Sequence, residues 1–282
     1  MSSRVPQSSR DRFLSRFGRW AVITGASDGI GRALADELAA IGVCPVLVAR
    51  RRPALEELAA ELTERHDVVC RVLPLDLSQV DAGEALVAAT SELDVGLLAA
   101  CAGFGSSGRA LDGVLAEELA MVDVNCRAVL EQALCFGERL VARGGGGLIL
   151  MSSIVAFQGV PGAANYAATK AYVQSLAEAL GRELKSAGVT VVAAAPGPVR
   201  SGFAARAGMH MDRTSTPSEV AKGILRALQR RGGTVRPGWL SKLLGGSLAT
   251  LPRAGRVLMM ERIMAGMSQP RGESLQGRSI EG

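Results

Sequence analysis

Two histidines, His66 and His210, are all that the 282 residues contain, too few for a histidine-rich metal centre. The five cysteines (Cys44, Cys70, Cys101, Cys126, Cys135) form no Cys-x-x-Cys pair and are odd in number. That count argues against a disulfide framework or a zinc site and fits a reducing cytoplasm. Aromatic residues make up only 4% of the chain, and no basic stripe interleaved with aromatics offers a nucleic-acid surface. The N-terminus lacks the apolar core of a signal peptide, and no solenoid-type repeat is present. One run, 144–169, carries no charge over 26 positions and is long enough to span a bilayer. It opens with four glycines and holds Ser152, Ser153, Gln158, Pro161 and Asn165, so a buried strand followed by a helix explains it better. The expectation is a soluble cytoplasmic protein with no nucleic-acid partner and no favoured membrane contact.

What is present is an ordinary globular composition: 48% apolar, 21% charged, net charge +5, with arginines gathered near both ends. Apolar runs at 20–24, 45–49, 68–75, 95–100, 147–151 and 189–195 are strand-length and rich in Val, Leu and Ile. Between them lie helical compositions near 30–41, 53–65, 81–91, 113–142 and 162–187. Strict alternation implies parallel strands with right-handed crossovers. The fold class is α/β, a single Rossmann-like doubly wound parallel sheet with helices on both faces. Residues 1–18 read as an irregular arm in which Phe13, Leu14 and Phe17 dock. The main domain spans 19–238, a helical extension 239–270, and a disordered tail 271–282. Thr216-Pro217-Ser218-Glu219 marks a helix start with a capping box. Trp239, Leu243, Leu244, Val257, Met260, Ile263, Met264 and Met267 keep helical spacing; core or interface packing, covering a substrate site and lying on a membrane surface are the readings open for them.

The first strand runs into Thr24-Gly25-Ala26-Ser27-Asp28-Gly29-Ile30-Gly31 and then a helix. Such a junction points free N–H groups and the helix dipole at a bound anion, and glycines let a diphosphate approach without meeting a Cβ. The spacing is Gly-x-x-x-Gly-x-Gly rather than Gly-x-Gly-x-x-Gly, and it resembles the TGxxxGxG loop of the short-chain dehydrogenase/reductase family. Gly25, Ser27, Asp28, Gly29 and Ile30 are the candidate contacts. Nineteen positions past Gly31, where NAD-specific sites place a carboxylate, stand Arg50 and Arg51. A guanidinium pairs with a 2′-phosphate where a carboxylate repels it, so the cofactor expected is NADP(H). The alternative is a solvated basic loop. Asp76 and Leu77 end the third strand, where the resemblance implies an adenine contact and a turn-capping Asp is the plainer reading.

Tyr166 and Lys170 sit four apart on one helix and share a face. A neighbouring ammonium favours the phenolate of a tyrosine whose free pKa is ~10. Ser153 lies 13 residues earlier, at a strand end, the spacing of the family's serine and YxxxK elements. Asn125 matches its fourth catalytic position, and Pro196-Gly197-Pro198-Val199-Arg200-Ser201 matches PGxVxT with Ser for Thr. The resemblance implies a catalytic set of Asn125, Ser153, Tyr166 and Lys170, and cofactor contacts from Gly103, Tyr166, Lys170, Pro196, Gly197, Val199 and Ser201. It implies hydride exchange between NADP(H) and a small carbonyl or alcohol substrate, with Tyr166 as proton donor, Ser153 orienting the oxygen, Lys170 lowering the tyrosine pKa, and Asn125 holding a water. One element departs: the family's NNAG reads Ala100-Cys101-Ala102-Gly103, losing two amide side chains. Substrate choice is expected in 202–215, with Phe203, Met209 and Met211 lining an apolar pocket for a lipophilic ketone, acyl chain or steroid-like carbonyl. A homodimer or homotetramer is expected. The rival readings are a non-catalytic dinucleotide sensor or scaffold, and a family member with isomerase or lyase chemistry.

Overall fold

The computed structural model describes residues 7–209, 214–238, 241 and 250–267. Seven strands form one parallel sheet in the order β3-β2-β1-β4-β5-β6-β7. They are β1 (Trp20–Thr24), β2 (Cys44–Ala49), β3 (Arg71–Pro74), β4 (Val95–Ala100), β5 (Gly146–Met151), β6 (Val189–Ala194) and β7 (Gly233–Val235). Six of these are the apolar runs of the sequence. The seventh is a three-residue edge strand that pairs with β6 from Val192↔Gly233 to Ala194↔Val235; it is too short, and too exposed at its glycine end, to register as an apolar run.

Alternate residues of each strand feed opposite faces, as the pleat requires. Ile23, Leu47, Leu97 and Ile149 pack on one side with Leu34 and Leu38 of α2 (Gly29–Ala40), Leu55, Leu58 and Leu62 of α3 (Arg52–His66), and Ile224 and Leu228 of α9 (Pro217–Gln229). Val22, Val46, Leu98, Leu148 and Leu150 pack on the other, with Leu86 of α4 (Ala82–Ala88), Phe136 and Leu140 of α6 (Ala128–Ala142), and Val173 and Leu180 of α7 (Ala164–Glu183). Burial on both faces is why the strands are continuous apolar runs rather than alternating ones. The capping box expected at Thr216 is formed: its hydroxyl accepts from Glu219 N at 3.3 Å and the Glu219 carboxylate accepts from Thr216 N at 2.9 Å.

Two expectations change. The arm is not irregular: Gln7–Phe17 is a helix, α1, with Phe13 and Phe17 buried. Arg16 reaches the Gln229 carbonyl at 3.0 Å and Thr190 Oγ1 at 2.8 Å, so α1 closes the end of the sheet opposite the strand C-termini. Its polar, serine-rich composition hides a helix held by two aromatic anchors. The long helix expected over 113–142 is interrupted: α5 (Leu115–Val122) passes through a π-helical turn, Asp123–Arg127, into α6. Trp239, Leu243, Leu244, the tail 271–282, His210 and Met211 lie outside the described residues. The described part of the C-terminal extension includes α10 (Arg253–Met267). No helix among the described residues is long and apolar enough to cross a membrane.

Candidate active site

Strand order reverses between β1 and β4, so a crevice opens past their carboxyl ends, where open α/β sheets take ligands. A cavity of about 590 Å³ occupies it. Its walls include Gly25, Ser27, Asp28, Gly29 and Ile30 of the first loop, Arg50 and Arg51, and Asp76 and Leu77. Gly103, Ser153, Tyr166, Lys170, Pro196, Gly197, Val199 and Ser201 line it too. Every expected catalytic and cofactor residue except Asn125 therefore borders one cavity; Asn125 is buried.

The wall formed by the glycine loop and the neighbouring strand ends is made largely of main chain. Gly25 holds φ +67°, and a Cβ there would come within 2.8 Å of the Ala102 nitrogen; a Cβ on Gly31 would strike the Gly25 carbonyl. Only glycine satisfies both conditions. Asp28 N-caps α2, accepting from Gly29 N at 2.7 Å, and its other oxygen accepts from Gly202 N at 2.9 Å. Arg51 extends to the Ser27 hydroxyl at 3.3 Å. Arg50 makes no ion pair among the described residues. Asp76 accepts from Ser78 N and Oγ at 3.1 and 2.9 Å, which is the turn-capping role, performed at the cavity edge.

Ser153, Tyr166 and Lys170 meet because β5 ends where α7 passes over it. Ile154 N donates to Pro196 O at 3.0 Å, tying the serine segment to the loop after β6. Lys170 Nζ donates to Met151 O at 2.9 Å and lies 5.8 Å from the centre of the Tyr166 ring. Burial pushes the Tyr166 hydroxyl up to about 12, and the Ser153 hydroxyl draws it back down. Burial pulls Lys170 down to about 8. The Lys170 ammonium is turned onto a main-chain carbonyl beside the Tyr166 ring, and desolvation is the largest influence on both groups.

Asn125 sits in the π-helical turn with its amide fully engaged. Its Oδ1 accepts from Phe104 N at 3.1 Å, while Nδ2 donates to Phe104 O at 2.9 Å and Thr169 Oγ1 at 3.1 Å. Such widened turns recur at functional sites. Here the turn aims Asn125 at the strand β4 exit, and a Cβ on Gly103 would lie 3.0 Å from Asn125 Oδ1 and 3.3 Å from Lys170 Nζ.

The opposite wall is apolar and comes from side chains. Val160, Ala163, Ala167, Met260 and Met264 form a buried cluster, joined by Val155, Tyr166, Met209 and Ile263. Phe203, on α8 (Gly202–Arg206), packs its ring 5.3 Å from that of Tyr166. Phe203 and Met209 thus face the cavity as expected, and α10 covers it with Met260 and Met264. The described part of the C-terminal segment packs Met260 and Met264 into a buried cluster and borders the cavity with the same residues. Thr24, which opens the glycine motif, contributes a hydroxyl that accepts from Ala102 N at 3.2 Å. Two contributors escaped the sequence, Phe104 and Arg206, and neither belongs to a spacing pattern that singles it out.

The sequence model for short chain dehydrogenase matches residues 19–212, a span holding the glycine loop, the Ser153–Tyr166–Lys170 group and the Pro196–Ser201 segment. The chain belongs to the short-chain dehydrogenase family. Members are oxidoreductases that bind a nicotinamide dinucleotide. A 7beta-hydroxysteroid dehydrogenase of Clostridium sardiniense is 36% identical over 180 residues, 64% of this chain and 69% of that one. A solved 7beta-hydroxysteroid dehydrogenase structure, 27% identical, superposes with a TM-score of 0.80 over 88% of this chain and 98% of that one. A short-chain dehydrogenase from Sphingobium yanoikuyae, solved with NADPH, is 28% identical with a TM-score of 0.75, covering 83% and 97%. Against this dehydrogenase background the Ala100-Cys101 departure is structurally mild. Ala100 is buried in the sheet, the Thr24 hydroxyl supplies the tie between β1 and the β4 exit, and burial raises the Cys101 thiol to about 12, leaving it an inert packing group.

Proposed function

We propose that this dehydrogenase is an NADP(H)-dependent reductase of bulky, uncharged, lipophilic ketones, with Ser153, Tyr166 and Lys170 as catalytic residues and Asn125 as a positioning residue. The observation that carries the reading is a pair of hydroxyls, Ser153 and Tyr166, set in a cavity wall that is otherwise apolar on the substrate side. The nucleotide side fits the cofactor independently: Gly25 and Gly31 leave a cradle that a Cβ would fill, and Arg50, in no ion pair among the described residues, borders it.

Gly103 and the Pro196–Ser201 segment would hold a reduced nicotinamide, which would supply the hydride. Tyr166 keeps its proton at neutral pH, because burial holds its hydroxyl far above 7, and delivers it to the carbonyl oxygen as negative charge develops there. Ser153 donates to the same oxygen and fixes its direction. Lys170, charged at pH 7 with a pKa near 8, supplies a positive field beside the proton donor. Asn125 ties Phe104 at the β4 exit, through two hydrogen bonds, to Thr169 of α7, through a third, keeping Gly103 close to Lys170.

Of the charged residues bordering the cavity, Asp28, Arg50, Arg51 and Asp76 lie on its nucleotide side, Arg206 ends α8 and Lys170 is on α7, so the wall of Phe203, Met209, Met260 and Met264 is apolar. A rigid polycyclic ketone suits such a wall better than a charged acyl carrier, and the resemblance to 7beta-hydroxysteroid dehydrogenases supports this class. Exposed apolar side chains on α5, α6 and α7 (Leu115, Leu119, Leu134, Tyr172) support assembly as a homodimer or homotetramer, and the free cysteines support a cytoplasmic setting.

The test is fluorescence titration with NADPH and NADH, followed by loss of reduced-nicotinamide absorbance on adding steroidal, bulky cyclic and short acyclic ketones. The reading expects NADPH to bind tighter and to be consumed fastest with the cyclic ketones. Tight binding with no ketone-dependent consumption would instead support the sensor.

A further inference from the structure

The short helix α8 faces both halves of the cavity. Its first residue, Gly202, is fastened to the cofactor loop through Asp28 at 2.9 Å. The next residue, Phe203, lies against the Tyr166 ring. At its end, Arg206 lays its guanidinium 4.0 Å from the centre of the Phe104 ring, directly after Gly103 and beside the backbone that Asn125 grips. Phe203 and Arg206 are three residues apart and share one side of the helix.

Arg206 has no ion pair among the described residues, yet it borders the same cavity as Arg50 and Asp76. Burial is the main influence drawing its pKa below the ordinary arginine value; the nearby Arg50 charge adds to that lowering, and Asp76 and Glu117 oppose it. Neither carboxylate closes onto it as a salt bridge. Two guanidiniums, one from the β2 end and one from α8, therefore border one cleft, and neither is in an ion pair among the described residues. Like charges brought together this way repel until an anion joins them, and a phosphate dianion matches a pair of guanidinium forks.

We propose that Arg206 is the second jaw of the 2′-phosphate site, gripping that phosphate opposite Arg50 and so drawing α8, with Phe203, into place over the substrate. This rests on the NADP(H) reading and adds a coupling to it. The phosphate that distinguishes NADPH from NADH then sets not only cofactor affinity but also how well the ketone is held. Linkage requires the effect to run both ways, so bound ketone tightens NADPH more than NADH.

The experiment compares wild type, Arg206→Gln and Arg206→Lys in their affinity for NADPH and NADH and in KM for a cyclic ketone. Removing one charge-assisted phosphate contact is expected to weaken NADPH ~10- to 100-fold while NADH changes less than about twofold, with Arg206→Lys partly restored. With NADPH, the ketone KM of Arg206→Gln is expected to rise to the value wild type shows with NADH, while kcat moves much less. If wild type prefers NADPH and Arg206→Gln leaves the NADPH-to-NADH ratio unchanged, whether by weakening both equally or neither, Arg206 does not hold the 2′-phosphate. An unchanged ketone KM would overturn the coupling. A wild type without NADPH preference would remove the cofactor reading itself, a separate failure visible before any variant is made.

Discussion

The two walls of the cavity are built by different means. The nucleotide wall is backbone: glycines at positive φ or in close approach, a capped helix terminus and strand ends locked by the sheet register. The substrate wall is side chain: Phe203, Met209, Met260 and Met264, carried on a five-residue helix and on a C-terminal helix far along the chain. Backbone geometry tolerates few residue types at a given position, whereas an apolar wall accepts many that fill the volume. The first wall therefore leaves a spacing pattern in the sequence and the second leaves only composition. Tyr166 stands where the two meet.

Perturbing that meeting point has the largest expected effect. Tyr166→Phe keeps the ring that packs on Phe203 and removes the proton donor. Its turnover should fall ~10²- to 10⁴-fold with NADPH affinity within about twofold of wild type, measured by steady-state rates and fluorescence titration. Retained turnover would take the tyrosine out of the chemistry and leave it as packing.

Lys170 sharpens the comparison through stability. Its displacement from 10.5 to about 8 means that, between those pH values, the unfolded chain carries the proton and the folded chain does not. The folded state therefore gains stability as pH rises from about 8 to 10.5, and below 8 the full cost of the buried charge remains, on the order of 3 kcal/mol. Lys170→Met should melt higher than wild type at pH 7, less the lost bond to Met151 O, and the gap should close by pH 10.5. Thermal unfolding across that range checks it, and a gap independent of pH would mean that the lysine is not held down by burial. A more stable but inactive variant is what a functional site that sacrifices stability predicts.

The smallest effect belongs to the side-chain wall. Met264→Ala removes an adaptable wall group and should raise KM for a bulky ketone ~3- to 10-fold while leaving NADPH affinity unchanged. A matched loss of NADPH affinity would show that the two walls are not separable.

The same contrast explains what the sequence made legible. Strands β1, β2 and β4 to β6 were evident because burial on both faces demands unbroken apolar runs, and Gly25, Gly29 and Gly31 because the turn tolerates little else. The edge strand β7 was not, since three residues with Gly233 first carry no such demand. The interruption at Asp123–Arg127 was hidden because its residues are ordinary for a helix and the π turn is set by Asn125 reaching Phe104. Helix α1 was missed because its stability comes from Phe13 and Phe17 docking rather than from its own composition. Arg206 was invisible for a related reason: only the fold turns it toward the end of the cavity that Arg50 borders.

The central claim is that hydride passes to a carbonyl carbon beside Tyr166. The most direct measurement is incubation of the enzyme with NADPH carrying deuterium at the nicotinamide C4 and a bulky cyclic ketone, with mass analysis of the alcohol. The account predicts deuterium bonded at the new carbinol carbon. Bound NADPH with a panel of such ketones returned unlabelled and unreduced would contradict it and make the protein a nucleotide-binding dehydrogenase fold without reductase chemistry.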